Sequence, residues 1–141
     1  MKYLIVLLLA VAAIQGGSAR IIERCDLARE LLWQQGFPRD VLEHWVCLIE
    51  AESSGNTGVI GPVNTDGSYD WGLFQINDRY WCRPGEYGGD CNTPCETLIS
   101  DDIGIASNCA KLIYSRMGFP AWMGWLAKCQ NGLPDLGPCG I

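Results

Sequence analysis

Residues Cys47 to Asn56 read CLIEAESSGN, a run that begins apolar, carries two glutamates and then breaks into Ser-Ser-Gly-Asn. Upstream of the break the pattern is helical: at about 100° per residue, Val41, Leu42, Leu48 and Ile49 all fall within about 60° of Trp45. Downstream, from Ser53 to Asp78, the composition shifts to Ser, Gly, Asn and Thr. Asn64-Thr65-Asp66-Gly67 is a turn signal there, and SYDWGLFQIN (68–77) is an extended, strand-like run. A small antiparallel sheet is expected in this region, with helices before and after it, so the class is α+β.

Working outward, RCDLARELLWQQ (24–35) places Leu27, Ala28, Leu31 and Leu32 on one side and stops before Gly36, as an amphipathic helix does. Pro38 and Asp40 open a second helix that runs to about Glu52, with Asp40 as its N-cap. Residues 82–97 hold three cysteines among Pro84, Gly85, Gly88, Gly89 and Pro94, a loop that only cross-links can fix. Helical pattern returns from Asp101 or Asp102 to Tyr114 with Ile105, Cys109, Leu112 and Ile113 on one side, and a short helix fits Ala121 to Lys128. Trp33, Trp45 and Trp125 are assigned to core packing. No internal repeat, low-complexity tract or flexible linker interrupts the chain.

The first nineteen residues, MKYLIVLLLAVAAIQGGSA, have the three-part layout of a secretory signal: one Lys, an apolar run, then small residues ending at Ala19. The run from Tyr3 to Ile14 is twelve residues, short of the roughly 20 that a membrane span needs. A secreted chain starting at Arg20, with 122 residues in one domain, is expected. All eight cysteines lie in it, and an even count in an exported chain favours four disulfides over metal binding. Spacing alone leaves their pairing open. Without Lys2, nine Lys and Arg face sixteen Asp and Glu. That balance argues against nucleic acid or an anionic membrane as partner.

The two glutamates of the opening stretch differ in kind. Positions two apart on a helix point about 160° away from one another, so Glu50 lies beside Glu43 on the wet face while Glu52 falls in the middle of the apolar one. A carboxylate there loses hydration, and it also stands at the negative end of the helix dipole. Both effects favour the protonated acid. Such a group suits glycosidic bond cleavage, in which one carboxyl protonates the leaving oxygen and a second, ionised one stabilises or attacks the sugar carbon. Asp70 is the candidate for the second, with polar Asn64, Ser68, Gln75 and Asn77 around it; Asp66 is read as a turn residue and Asp78 as a strand-end surface charge. His44, the only histidine, faces away from Glu52's side of the helix and is read as a surface residue without a catalytic role.

With these residues in place the chain resembles the chicken-type (c-type) lysozymes. The resemblance runs from RCDLARELL through WVCLIEAESS, NTDGSYDWGLFQIN and YWC to NCAKLI and AWMGW, and includes the order of the eight cysteines. It implies a helical lobe (about 20–53 and 104–141) and a small antiparallel β lobe (about 54–103) flanking a cleft, with Glu52 as general acid and Asp70 as nucleophile or electrostatic stabiliser. The implied reaction is hydrolysis, with retention, of β-1,4 bonds between N-acetylmuramic acid and N-acetylglucosamine in peptidoglycan; chito-oligosaccharides are related substrates. It further implies the pairs Cys25 with Cys139, Cys47 with Cys129, Cys82 with Cys95, and Cys91 with Cys109. Asn64, Gln75, Asn77, Tyr80, Trp81, the Ala121 backbone and Trp122 are implied to line the substrate, Trp122 also walling the catalytic acid. A monomer without cofactor is expected.

The α-lactalbumins share this fold but bind calcium and regulate; a non-catalytic sugar-binding or regulatory protein is therefore the alternative. Their calcium loop falls at residues 97–106, where this chain offers Asp101 and Asp102 but Ile105 and Ala106 at two carboxylate positions. No metal site is expected, and Asp101 and Asp102 are read as caps of the following helix. Tyr80, where vertebrate lysozymes commonly have tryptophan, and the short Cys82 to Cys91 loop look like insect members. The net negative charge looks like a digestive lysozyme of an acid gut.

Overall fold

Leu27, Ala28 and Leu31 are fully buried at helical spacing, and that stripe defines the first helix. The structure, a computed structural model, describes residues 19–141; the expected signal segment, apart from Ala19, lies outside the described residues. Helix α1 spans Arg24–Arg29 and continues as a π-helical turn over Glu30–Gln34, ending at Gly36 with φ +69°. Trp33 is 65% exposed, which corrects its assignment to the core: it stands two residues beyond Leu31, on the opposite side of the helix.

A 3-10 turn, Arg39–Val41, leads into α2, Leu42–Ser53. Asp40 makes no capping bond, contrary to expectation. The Pro38 carbonyl instead accepts the Val41 N–H (3.4 Å) in the opening turn. Helix α2 buries Leu42, Trp45, Val46, Leu48 and Ile49, and stops where Ser54 turns left-handed (φ 53°).

The expected strand over 68–77 is a hairpin rather than one strand. Strands β1 (Asp70–Trp71) and β2 (Ile76–Asn77) pair antiparallel, Asp70 opposite Asn77 and Trp71 opposite Ile76. Gly72 makes the reversal: its φ is +75° and a Cβ there would lie 1.8 Å from the Leu98 carbonyl oxygen, so no other residue fits. The tip residues Leu73 and Phe74 are fully buried. The sheet is thus short, and it plugs its own turn into the helical core. Ile60 adds one bridge to Trp71.

Helix α3, Gly104–Met117, buries Ala106, Cys109, Ala110 and Ile113. Ile105, expected on this face, is 51% exposed because it precedes the i, i+3, i+4 stripe by one residue. Asp102 accepts the Gly104 N–H (2.9 Å) at the helix entrance, whereas Asp101 contributes only its carbonyl, to Arg20. Pro120 sits in a 3-10 turn, Phe119–Ala121, so α4 starts later than expected and spans Met123–Lys128. The core centres on Trp45, which meets Phe37, Phe119, Tyr114, Trp122 and Phe74 edge-on at 4.9–6.0 Å.

Four disulfides close the fold. Cys25–Cys139 holds the chain end to α1, Cys47–Cys129 joins α2 to the end of α4, and Cys82–Cys95 and Cys91–Cys109 staple the 82–95 loop, the last to α3. Among the described residues no helix is long and apolar enough to cross a membrane.

Candidate active site

Glu52 lies two residues from the left-handed stop of α2, on the helix face turned toward the core. Its carboxyl is half-buried, and Oε1 accepts the Gly124 N–H from the first turn of α4 at 2.7 Å. A Cβ on residue 124 would come within 2.7 Å of Oε1, so glycine there is what lets backbone and carboxyl meet this closely. Burial pushes the Glu52 pKa above its ordinary value. The Gly124 N–H opposes that by stabilising the anion, and the negative charge of Asp70 raises it further.

Asp70 is placed by the hairpin register. Asn77, directly opposite, donates from Nδ2 to Asp70 Oδ1 (2.9 Å), with Ser68 Oγ also in reach (2.8 Å). Asn64 Nδ2 donates to the same hydroxyl (3.1 Å), which in turn donates to Asp66 (2.5 Å). The Ser68 hydroxyl and N–H, with Arg79, draw the Asp66 pKa down to about 2. One donor chain therefore braces the turn and orients the Asp70 carboxylate.

The two carboxyls are held on one frame by the buried hairpin tip. Ser53, next to Glu52, donates its hydroxyl to the Leu73 carbonyl (2.7 Å), and Trp122 donates its indole N–H to the Phe74 carbonyl (2.8 Å). Both carbonyls belong to the turn between β1 and β2. Helix α2, the hairpin and the approach to α4 are locked by buried bonds whose partners have no water to exchange with.

The other expected residues divide. Asn64 and Asn77 stand at the site and spend their amides on the Ser68–Asp70 network. Gln75 does not: it adopts φ +48° and turns Nε2 to the Val59 and Gly72 carbonyls (3.2 and 3.0 Å), so it braces the hairpin. Trp122 is 4% exposed and packed on Trp45, which makes it wall and not a stacking platform. Tyr80 is 58% exposed beneath the Arg79 guanidinium, and half-buried Trp81 lies under that of Arg116, which is paired to Asp90. The Ala121 N–H is bonded to the Gly118 carbonyl (3.3 Å).

Glu50 pairs with Arg24 (2.9 Å) on the outer face of α2. Asp78 is more than a surface charge, since its carboxylate accepts the Tyr69 N–H and the Trp71 indole N–H, both at 3.1 Å. His44 is not a surface residue. It is half-buried, stacked on Phe119 at 5.1 Å, and its Nδ1 accepts the Trp125 indole N–H at 3.1 Å. The Gly124 N–H was not foreseeable from side-chain patterns. Among the described residues no group of three or more His, Cys, Asp or Glu comes together as a metal site.

A carboxyl whose pKa is raised by burial, with a hydrogen-bonded Asp70 near enough to raise it further, is equipped for proton transfer coupled to stabilisation of a cation. The family model described as C-type lysozyme/alpha-lactalbumin family matches residues 20–139. The lysozyme of Hyalophora cecropia is 48% identical over 139 residues, covering 98% of this chain and 99% of that protein. The lysozyme of Bombyx mori is 47% identical over 140 residues, covering 99% of this chain and all of that one. Among solved structures, a lysozyme from Litopenaeus vannamei superposes with TM-score 0.74 at 36% identity, over 86% of this chain and 98% of that one. With Glu52 and Asp70 braced on this frame, the chain belongs to the C-type lysozyme/alpha-lactalbumin family, on the side of the insect lysozymes.

Proposed function

We propose that the protein is a secreted, monomeric glycoside hydrolase that cleaves the β-1,4 bond between N-acetylmuramic acid and N-acetylglucosamine in peptidoglycan, with retention. The observation that carries the reading is the unequal treatment of two carboxyls: Glu52 biased toward its protonated form by burial, Asp70 opposite Asn77 and hydrogen-bonded to it. Lysozyme is the type case of this division of labour. Glu52 gives its proton to the glycosidic oxygen as the C–O bond breaks, and the positive charge that develops on the sugar ring is met by Asp70. Water then attacks the same face, losing its proton to the Glu52 carboxylate.

The two lobes and the cleft between them are part of this proposal: α2 and α4 supply one wall, the β1–β2 hairpin the other, and exposed Tyr80 with Trp81 offers rings to sugar faces. Secretion is supported by four closed disulfides, which persist in oxidising compartments. Every cysteine pairs within the chain, leaving none to link copies.

Two outcomes are expected in clearing of a bacterial cell-wall suspension between pH 4 and 8. Asp70→Asn, which keeps the Asn77 contact but not the charge, lowers the rate about 100-fold or more. Wild-type activity falls along an alkaline limb as Glu52 loses its proton, and because burial raises that pKa the limb lies above the ordinary glutamate range. Asp70→Asn clearing at the wild-type rate would remove Asp70 from the mechanism.

A further inference from the structure

Two hydrogen bonds cross between the same pair of helices. Helix α2 carries His44 and Glu52, eight residues apart in sequence; α4 carries Trp125 and, next to it, Gly124. Glu52 Oε1 accepts the Gly124 N–H at 2.7 Å and His44 Nδ1 accepts the Trp125 indole N–H at 3.1 Å. Resting on the assignment of Glu52 above, we infer that His44 is a positioning residue for the catalytic acid: through Trp125 it holds the first turn of α4 where the Gly124 N–H meets the Glu52 carboxyl.

Helix α4 needs such a tether. It has six residues and buries none of them completely, so it is too short to be stable alone and depends on its contacts with α2. Its far end is fixed by Cys47–Cys129. Its first turn is fixed to α2 by the Gly124–Glu52 bond, whose acceptor must change protonation during turnover, and by the Trp125–His44 bond, whose partners take no part in the chemistry. The second bond keeps the donor aimed while the first is made and broken.

The surroundings of His44 make this bond selective. Phe119 stacks on the imidazole at 5.1 Å with ring planes 22° apart, and Trp125 covers it at 5.9 Å; Tyr114 of α3 packs behind Phe119 at 4.6 Å. From these elements the ring meets aromatic surfaces. The charged groups nearby are on its own side, Glu43 and the Arg39 paired to it at 2.6 Å. A proton on Nδ1 removes the lone pair that Trp125 uses and leaves a half-buried indole N–H unpaired.

The consequence is read at Glu52. The Gly124 N–H stabilises the carboxylate and so lowers the Glu52 pKa against burial. When the tether is lost that donor drifts, and the Glu52 pKa rises further. His44→Leu removes the acceptor and Trp125→Phe removes the donor while keeping a ring; each moves the alkaline limb of kcat, and the Glu52 carboxyl titration seen by 13C NMR, upward by roughly half a pH unit with KM unchanged. The double variant shifts no further than either single one, because both break one bond. His44→Asn, whose Oδ1 accepts at the position of Nδ1 and gains no proton, keeps the wild-type limb.

In the wild type and in His44→Asn the Trp125 indole N–H exchanges slowly with solvent, as a hydrogen-bonded donor does; this measurement stands even where His44→Leu fails to fold. An unmoved alkaline limb in both His44→Leu and Trp125→Phe, or a Trp125 indole N–H that exchanges freely in the wild type, overturns the inference. Glu52→Gln is the control. If that variant clears cell walls like the wild type, the assignment of Glu52 fails instead.

Discussion

Glu52→Gln folds but clears a cell-wall suspension about 1,000-fold more slowly than the wild type, or worse, at every pH between 4 and 8. The amide occupies the carboxyl's volume and its oxygen still accepts the Gly124 N–H, so the frame is unchanged. What is lost is the acidic proton of the half-buried carboxyl. Stability moves the other way. The folded-state pKa of Glu52 lies above its unfolded value, so the folded chain holds the proton more tightly, and the wild type loses stability as pH rises through that interval. Glu52→Gln, which cannot ionise, escapes this loss. Thermal melts at pH 4 and pH 8 therefore show the variant gaining on the wild type at the higher pH, a pattern expected of a residue kept for chemistry at some cost to stability.

Trp45→Ala is the most damaging single change to the frame, lowering stability by about 3–5 kcal/mol and the melting temperature by more than about 10 °C. Trp45 is 1% exposed and touches rings from four parts of the chain: Phe37 before α2, Phe74 in the hairpin tip, Tyr114 in α3, and Phe119 with Trp122 ahead of α4. Two of these neighbours are held away from the space, since the Trp122 indole is bonded to the Phe74 carbonyl at 2.8 Å. Activity at low temperature falls as well, because that bond sets the hairpin, and with it Asp70, against the approach to α4. Denaturant melts of Trp45→Ala and Trp45→Phe check this: the phenylalanine recovers part of the loss, and equal stability of Trp45→Ala and wild type would show that the cluster is not the frame.

Where sequence reasoning succeeded, one packing force dominated. Helix α2 buries a broad apolar stripe, so a wheel drawn on Trp45 places Glu52 on the core side and Glu50 outside, where it pairs with Arg24. Where it failed, the deciding contact was long-range or belonged to the backbone. SYDWGLFQIN has the composition of a strand, but the approach of Gly72 to the Leu98 carbonyl folds it in two. Trp33, on the far side of its helix, and Ile105, just off the buried stripe of α3, are apolar residues whose type outweighed their position. Gln75 looked like a polar site residue because its neighbours were; its left-handed backbone turns it back onto the hairpin.

The site itself was half legible. Both carboxyls were visible as an anomalous Glu on an apolar face and an Asp among amides, whereas the Gly124 N–H and the His44–Trp125 bond carry no side-chain pattern across 72 and 81 residues of separation. The pairing of the cysteines came from the resemblance to c-type lysozymes, and the structure has the same four pairs.

The central claim is that burial in this frame turns Glu52 into an acid that keeps its proton where an ordinary glutamate has lost it. The direct test is a 13C NMR titration of the Glu52 carboxyl in the chain from Arg20 to Ile141, assigned by its absence in Glu52→Gln. The account predicts a midpoint above the ordinary glutamate range, coinciding with the alkaline limb of the activity profile. A midpoint at or below that range would contradict it.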